Sequence, residues 1–146
     1  MQIQICNMSI KDLDIIANSL TQDFDDFWNY NVFKNELHNE NSKYILAKLD
    51  DNIVGFAGIW IALDEAHITN IVTKKSNRNQ GVATLLLQEL INMAKNSSLK
   101  SITLEVNEKN IPAIKLYEKF NFKKLGIRKK YYNNSENAII MTLYLI

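Results

Sequence analysis

Two kinds of hydrophobic pattern alternate along this chain, one with the period of a helix and one with the period of a strand. Helical spacing predicts a first helix after Ser9, a second over residues 32–38, a third over residues 82–94 and a fourth from Asn110 to about Phe120. In the first of them the apolar positions are Ile10, Leu13, Ile16 (or Ala17) and Leu20. Because Asp12 stands three positions after Ser9, we expect a variant of the capping box there.

Strands are predicted where short runs rich in β-branched residues alternate with polar positions. These runs cover residues 3–5, 44–49, 53–61, 66–73, 101–106, 122–129 and 138–146. Residues 50–52 have the composition of a tight turn, and Gly55 and Gly58 predict a bend or bulge in the strand that contains them. The order β-α-α-β-β-β-α-β-α-β-β predicts a mixed α/β sheet with helices on both faces.

Composition and charge narrow the class of protein. The 146 residues contain no linker or repeat and suffice for one core, so we expect residues 1–146 to form a single domain. A net charge of +1 argues against a nucleic-acid coat or a membrane-surface binder. No apolar run approaches the ~20 residues of a membrane span, and the N-terminal residues lack the features of a signal peptide. The single cysteine, Cys6, fits a reducing compartment, so the expected location is the cytoplasm.

A short polar loop connects the strand over residues 66–73 to the third helix. Its sequence is Arg78-Asn79-Gln80-Gly81-Val82-Ala83-Thr84. Backbone N–H groups at a helix N-terminus are unpaired, and the helix dipole adds positive potential, so such a loop attracts anions. Gly81 lets the backbone approach a ligand closely, because no Cβ intervenes. The loop predicts a phosphate site, although an ordinary strand-loop-helix connection has the same local pattern and is equally compatible.

Two candidate catalytic side chains, a carboxylate and a phenol, follow this loop and lie on consecutive elements of the chain. In the strand over residues 101–106 the apolar positions share one face, so Glu105 lies on the other face with Ser101 and Thr103. The next helix carries Ile114, Tyr117 and Phe120 on one stripe. We expect Glu105 and Tyr117 to face one cavity. A solvated polar face for Glu105 and a core position for Tyr117 are the alternatives.

The remaining candidates are weaker. His38, His67 and Cys6 have no metal-ligand spacing, so no metal site is expected. Three basic runs are interpreted as solvated surface charge: Lys74-Lys75 with Arg78, Lys123-Lys124, and Arg128-Lys129-Lys130. The first of them could also meet phosphate groups.

Several linked motifs resemble the GNAT superfamily of acyl-CoA-dependent N-acyltransferases. The loop fits R/Q-x-x-G-x-G/A, and the segment Thr103-Leu104-Glu105-Val106, then Asn110, then Ala113-Ile114-Lys115-Leu116-Tyr117-Glu118-Lys119-Phe120-Asn121-Phe122 resembles a second signature. The similarity is greatest to the RimI-type ribosomal-protein N-acetyltransferases and is good over about residues 65–145. The resemblance implies the GNAT fold, with a mixed, mostly antiparallel sheet of about seven strands.

The resemblance also implies roles for individual residues. Glu105 matches the general base, and Tyr117 matches the general acid. The residues implied in acetyl-CoA binding are Ile71, Val72, Thr73, Arg78, Asn79, Gln80, Gly81, Val82, Ala83, Thr84 and Asn110. Tyr131 and Trp28 match the groove that holds the acceptor peptide. Two departures from the pattern, Asn107 for the usual Arg and Phe27 for the usual Pro, bear on peptide specificity.

The implied reaction moves an acetyl group from acetyl-CoA to the N-terminal amine of a protein, with the N-terminal alanine of a small-subunit ribosomal protein as the favoured acceptor. The enzyme is expected to act as a monomer or weak homodimer, without metal, nucleic acid or membrane. One alternative is a GNAT enzyme that acetylates a small amine such as a polyamine or an antibiotic. Another is a CoA-binding module without turnover, which the presence of both Glu105 and Tyr117 disfavours.

Overall fold

The computed structural model describes residues 2–24, 30–132 and 136–145. Its strands are β1 (Ile3–Asn7), β2 (Ser42–Leu49), β3 (Asn52–Ala62), β4 (Glu65–Thr73), β5 (Ser101–Asn107), β6 (Lys123–Tyr132) and β7 (Glu136–Tyr144). Its α-helices are α1 (Ile10–Ile16), α2 (Leu20–Asp23), α3 (Tyr30–His38), α4 (Val82–Asn96) and α5 (Ile111–Lys119). Short 3₁₀ turns stand at Ala17–Ser19 and Lys75–Asn77. Every predicted element is present, and most ends lie within two residues of the prediction.

The strands form a seven-stranded sheet in the order β1-β2-β3-β4-β5-β7-β6. Strands β4 and β5 pair in parallel, from Glu65 with Ser101 to His67 with Thr103. The pairs β1–β2, β2–β3, β5–β7 and β6–β7 are antiparallel. The expected mixed, mostly antiparallel GNAT sheet is therefore confirmed. The contacts divide the chain into two compact units, residues 1–60 with 69–92 and residues 61–68 with 93–146.

In the first unit helices cover both faces of the sheet, as predicted. A hydrophobic core formed by residues of α1, α3, β2 and β3 lies on one face and includes Leu13, Phe33 and Phe56, each at most 1% exposed. The neighbouring residue Gly55 points to the opposite face, where a Cβ would lie 2.8 Å from Val82 and 3.2 Å from Leu86 of α4. The alternation along β3 therefore sends successive residues to two different helical layers.

Gly55 and Gly58 of β3 have different structural roles. At Gly55 the pairing with β2 shifts, since Ala47 pairs with Gly55 but Lys48 pairs with Ile53. The predicted irregularity is confirmed there. At Gly58 there is no bulge, because the register runs through the pair with Tyr44 without a shift. A Cβ at Gly58 would lie 2.6 Å from Cε1 of the Tyr44 ring and closer to two other ring atoms. The absence of a Cβ at Gly58 therefore leaves the space that the Tyr44 ring occupies.

Local sequence signals at the chain's turns and helix ends match the structure. Ser9 and Asp12 form the capping box of α1, with Ser9 N–H donating to the Asp12 carboxylate at 2.8 Å. Asn121 ends α5 in the left-handed region, with φ of 72°. Asp50 and Asp51 both have positive φ, the geometry of the tight hairpin turn that their composition predicted.

The Tyr44 hydroxyl lies in a polar cluster within the first unit. It is 3.0 Å from Thr69 Oγ1 and accepts a hydrogen bond from Asn70 Nδ2 at 3.2 Å. Tyr44 is only 6% exposed. Burial raises the pKa of the Tyr44 phenol to about 12, and the nearby Glu36 charge adds to this, although the bonds with Thr69 and Asn70 oppose it. The phenol is therefore held neutral at physiological pH.

This raised pKa predicts a specific alkaline loss of stability. The unfolded chain ionises the phenol near pH 10, so the stability that neutral Tyr44 contributes is complete below about pH 10. As the pH rises through the folded value, we expect about 2–3 kcal/mol of unfolding free energy to disappear, at about 1.36 kcal/mol per pKa unit. Denaturant unfolding across this range should show a steeper fall for the native protein than for Tyr44→Phe. Parallel curves for the two proteins would contradict this assignment.

The second unit is built on the antiparallel strands β5, β7 and β6. Leu104 and Val106 of β5 are buried at 1% and 5% exposure, whereas Thr103 and Glu105 on the other face are half-buried. The predicted alternation of β5 is thus confirmed. In the described part of the chain no helix is long and apolar enough to cross a membrane.

Candidate functional site

In the first unit, the predicted anion loop leaves the sheet at the end of β4. Val72 is buried, and Ile71 and Thr73 on either side of it are half-buried. The backbone N–H of Lys74 donates to the Val54 carbonyl at 2.7 Å and fixes the point where the chain leaves the strand. The three residues implied in acetyl-CoA binding therefore lie at the end of β4, just before the bond that ties the chain to β3.

The loop itself contains two residues in the left-handed region. Asn79 has φ of 65° and Gly81 has φ of 83°. Asn77 stabilises the turn, because its Nδ2 donates to Gln80 Oε1 at 3.2 Å. A Cβ built on Gly81 would meet nothing within 4 Å, and the positive φ, rather than close contact inside the chain, is what requires glycine here. Open space at this point is what a ligand group would occupy.

Helix α4 begins directly after this loop. The N–H of Leu85 donates to the Gly81 carbonyl at 3.2 Å, which makes Gly81 the residue before the first helical turn. The N–H groups of Val82, Ala83 and Thr84 belong to that first turn and have no acceptor within the helix. The exposed cation Arg78 lies in the same loop, and a helix start of this kind attracts anions. The anion site itself stays a prediction.

In the second unit, Glu105 lies on the polar face of β5. Its side chain is 15% exposed, and Oε1 is 2.7 Å from Nη2 of Arg128 on β6. Arg128 is exposed, as the interpretation of a surface charge requires, but the sequence analysis missed that its guanidinium pairs with a partly buried carboxylate. The only sequence signal was the position of Arg128 within a predicted strand, and its partner depends on a register that the sequence does not reveal.

Asn110 and Tyr117 lie on the element that follows β5. The Asn110 side chain accepts a hydrogen bond from Ala113 N–H at 3.3 Å and caps α5, with Pro112 in the first turn. Tyr117 is half-buried, and its ring lies 5.8 Å from the Phe122 ring. Cap and helix are thus where the sequence placed them.

A further contact in this unit, which the sequence analysis missed, joins the loop after β5 to the start of β7. The Asn137 N–H donates to Glu108 Oε2 at 2.6 Å, and the Glu108 N–H donates to the Asn137 carbonyl at 2.9 Å. Lys109 and Glu136 add an ion pair at 3.8 Å. These bonds attach the start of β7 to the loop that carries Asn110. No motif marks Glu108, since its role depends on a contact between residues far apart in the chain.

Two residues were predicted for the acceptor groove, Trp28 and Tyr131. Trp28 lies outside the described residues, and Tyr131 is described only as a backbone position in β6. Among the side chains that are described, no group of three or more His, Cys, Asp or Glu residues could hold a metal ion.

The chain thus presents a partly buried carboxylate on β5, a capped helix after that strand and a glycine-bearing loop before α4. The sequence profile of the acetyltransferase (GNAT) family matches residues 10–122, and the chain belongs to this family. It is thus an N-acetyltransferase that takes its acyl group from acetyl-CoA.

Particular relatives are similar over most of their length. The [ribosomal protein bS18]-alanine N-acetyltransferase of Haemophilus ducreyi is 39% identical over 115 residues, which cover 75% of this chain and 79% of the relative. The protein of the same name from Haemophilus influenzae is 38% identical over 124 residues, covering 81% and 82%. The crystal structure of the ribosomal-protein-S18-alanine N-acetyltransferase from Escherichia coli superposes with a TM-score of 0.90 at 28% identity, covering 99% of this chain and 94% of that one.

Proposed function

We propose that this enzyme acetylates the N-terminal α-amine of a protein, and that its acceptor is the N-terminal alanine of a ribosomal protein of the bS18 type. The similarity to enzymes named for this reaction, over three quarters or more of each chain, carries the proposal. The arrangement of Glu105, with one oxygen paired and the carboxylate only partly exposed, supports it independently.

The donor is held by the strand, loop and helix of the first unit. Ile71, Val72 and Thr73 bind the pantetheine arm through their backbone. The diphosphate is bound by the loop and first helical turn, that is by Arg78, Asn79, Gln80, Gly81, Val82, Ala83 and Thr84. Open space at Gly81 and unpaired N–H groups at the start of α4 support this role. Asn110 contacts acetyl-CoA as well.

The chemical step is direct attack of the acceptor nitrogen on the thioester carbonyl. The new C–N bond forms, the C–S bond breaks, and the nitrogen loses a proton while the departing sulfur gains one. Glu105 takes the proton from nitrogen, directly or through a water, and Tyr117 supplies the proton to sulfur. Backbone N–H groups at the end of β4 stabilise the oxyanion.

The acceptor class follows from the proton that must be removed. An α-amine titrates near ~7.7–8.0 and a lysine side chain near ~10.4. Deprotonating lysine at neutral pH therefore costs about 3.4 kcal/mol more, at about 1.36 kcal/mol per unit. A single carboxylate base suits the α-amine. Tyr131 and Trp28 contact the first residues of the acceptor peptide, and the enzyme acts in the cytoplasm as a monomer or weak homodimer.

The test is acetyl transfer to synthetic peptides followed by mass spectrometry that locates the added group. A peptide with the N-terminus of bS18, beginning with alanine and containing an internal lysine, should gain one acetyl group on the α-nitrogen. The matched control is the same peptide with its α-amine already blocked, which should gain none. Acetylation of the lysine alone, or turnover of polyamines in preference to both peptides, would overturn the proposal.

A further inference from the structure

The ion pair between Glu105 and Arg128 spans three strands of the second unit. In the paired registers, Arg128 of β6 and Asn107 of β5 both lie opposite Ala138 of β7, whereas Glu105 lies opposite Ile140. Arg128 therefore starts in the row of Asn107 and Ala138 and reaches diagonally across β7 to the next row. The small Ala138 side chain, which is fully buried, leaves the room for this crossing.

The pairing holds the carboxylate at Oε1. Nη2 of Arg128 contacts Oε1 of Glu105 at 2.7 Å, the distance of a short, charge-assisted hydrogen bond. In the part of the chain that the structure describes, Arg128 is the ion-pair partner of this carboxylate. The Glu105 side chain is 15% exposed and that of Arg128 is 54% exposed, so the cation lies on the solvent side of the pair.

We propose that Arg128 is a positioning residue that holds Glu105 through Oε1 and thereby reserves Oε2 for the acceptor's proton. This inference rests on the proposed role of Glu105 as base. When the acceptor nitrogen attacks, its proton passes to Oε2, directly or through a water, and the neutral carboxyl still accepts from Arg128 through Oε1. The guanidinium also occupies Oε1, so that an ammonium group cannot form a non-productive ion pair with that oxygen.

If the ion pair had no role in the reaction, the variants of Arg128 would be expected to behave differently. Pairs near the surface contribute little to stability, so a purely structural Arg128 would change turnover no more than a neighbouring charge does. A positioning residue acts through the carboxylate, because misplacing a catalytic group by about 1 Å can cost about 10²-fold. The effect of changing a positioning residue must therefore vanish when the carboxylate is absent. This condition distinguishes a positioning role of Arg128 from a purely structural one.

The experiment is a double-mutant cycle on the full chain, with acetyl-CoA and the alanine-initiated peptide. Arg128→Gln should lower kcat about 10- to 100-fold and leave the KM for acetyl-CoA within about twofold. In a Glu105→Gln background the same change should alter the residual kcat by less than about twofold, because the carboxylate base that Arg128 positions is already absent. Lys129→Gln is the matched control, since it removes the same charge from the adjacent exposed position of β6 and should leave kcat unchanged.

Two further measurements guard against a folding defect. Arg128→Lys keeps the charge but not the fork, and it should retain part of the lost kcat. Guanidinium ion added at millimolar concentration should restore part of the kcat of Arg128→Gln without affecting the native enzyme. Equal kcat for Arg128→Gln and Lys129→Gln, or an Arg128→Gln loss of the same size in both backgrounds, overturns the inference. Full activity of Glu105→Gln would instead refute the base itself, and this outcome is visible without any Arg128 variant.

Discussion

Glu105→Gln is expected to lower kcat by about 10²- to 10⁴-fold, the range that a positioned general base contributes. Gln has nearly the same shape and can still accept from Arg128 at its amide oxygen, so the contact at 2.7 Å need not be lost. What disappears is the capacity to take the acceptor's proton. The KM for acetyl-CoA should change little, because Glu105 is not among the residues proposed to bind acetyl-CoA.

The measurement is steady-state kinetics with the alanine-initiated peptide, together with thermal unfolding to show that the variant is folded. Tyr117→Phe is the companion variant, and its loss of kcat should be smaller. A thiol titrates near ~8.5, so the departing CoA sulfur is a tolerable leaving group even as a thiolate. Undiminished kcat in both variants would remove Glu105 and Tyr117 from the mechanism while leaving the family assignment intact.

Features that depend on neighbouring residues could be predicted from the sequence. The Ser9 and Asp12 capping box, the left-handed Asn121 and the alternation that sends Glu105 away from the core each need only a few adjacent positions. The order of strands and helices followed from hydrophobic periods for the same reason. The anion loop could be proposed from the sequence because a strand, a glycine and a helix start are consecutive in the chain.

Features that depend on pairing between distant strands could not be predicted. The contact of Arg128 with Glu105 requires the registers of β6 with β7 and of β7 with β5, and the first of these contains irregularities near Gly126 and after Arg128. A sequence without those registers presents Arg128 as one of three consecutive basic residues. Gly58 was misjudged for the same reason, since a glycine that makes room for a ring looks like a glycine that bends a strand.

Gly58→Ala is expected to be strongly destabilising. Its Cβ would lie within 3.0 Å of three atoms of the Tyr44 ring, a distance that real Cβ atoms essentially never show. The ring cannot move freely, because it packs on Phe33 at 5.4 Å between centroids and its hydroxyl is bonded to Asn70. We expect a loss of about 3 kcal/mol in the free energy of unfolding, at the upper end of overpacking effects.

Gly126→Ala is the matched control for this variant, because it adds the same methyl group to another strand glycine. There the new Cβ would meet only Ile140 Cδ1, at 3.7 Å, which is ordinary contact, so the free energy of unfolding should change by less than about 1 kcal/mol. Denaturant unfolding measures both. A second variant, Tyr44→Leu combined with Gly58→Ala, should be less destabilised than the sum of its two single changes, because the clash needs both partners. Simple additivity would show that Gly58 is required for some reason other than the ring above it.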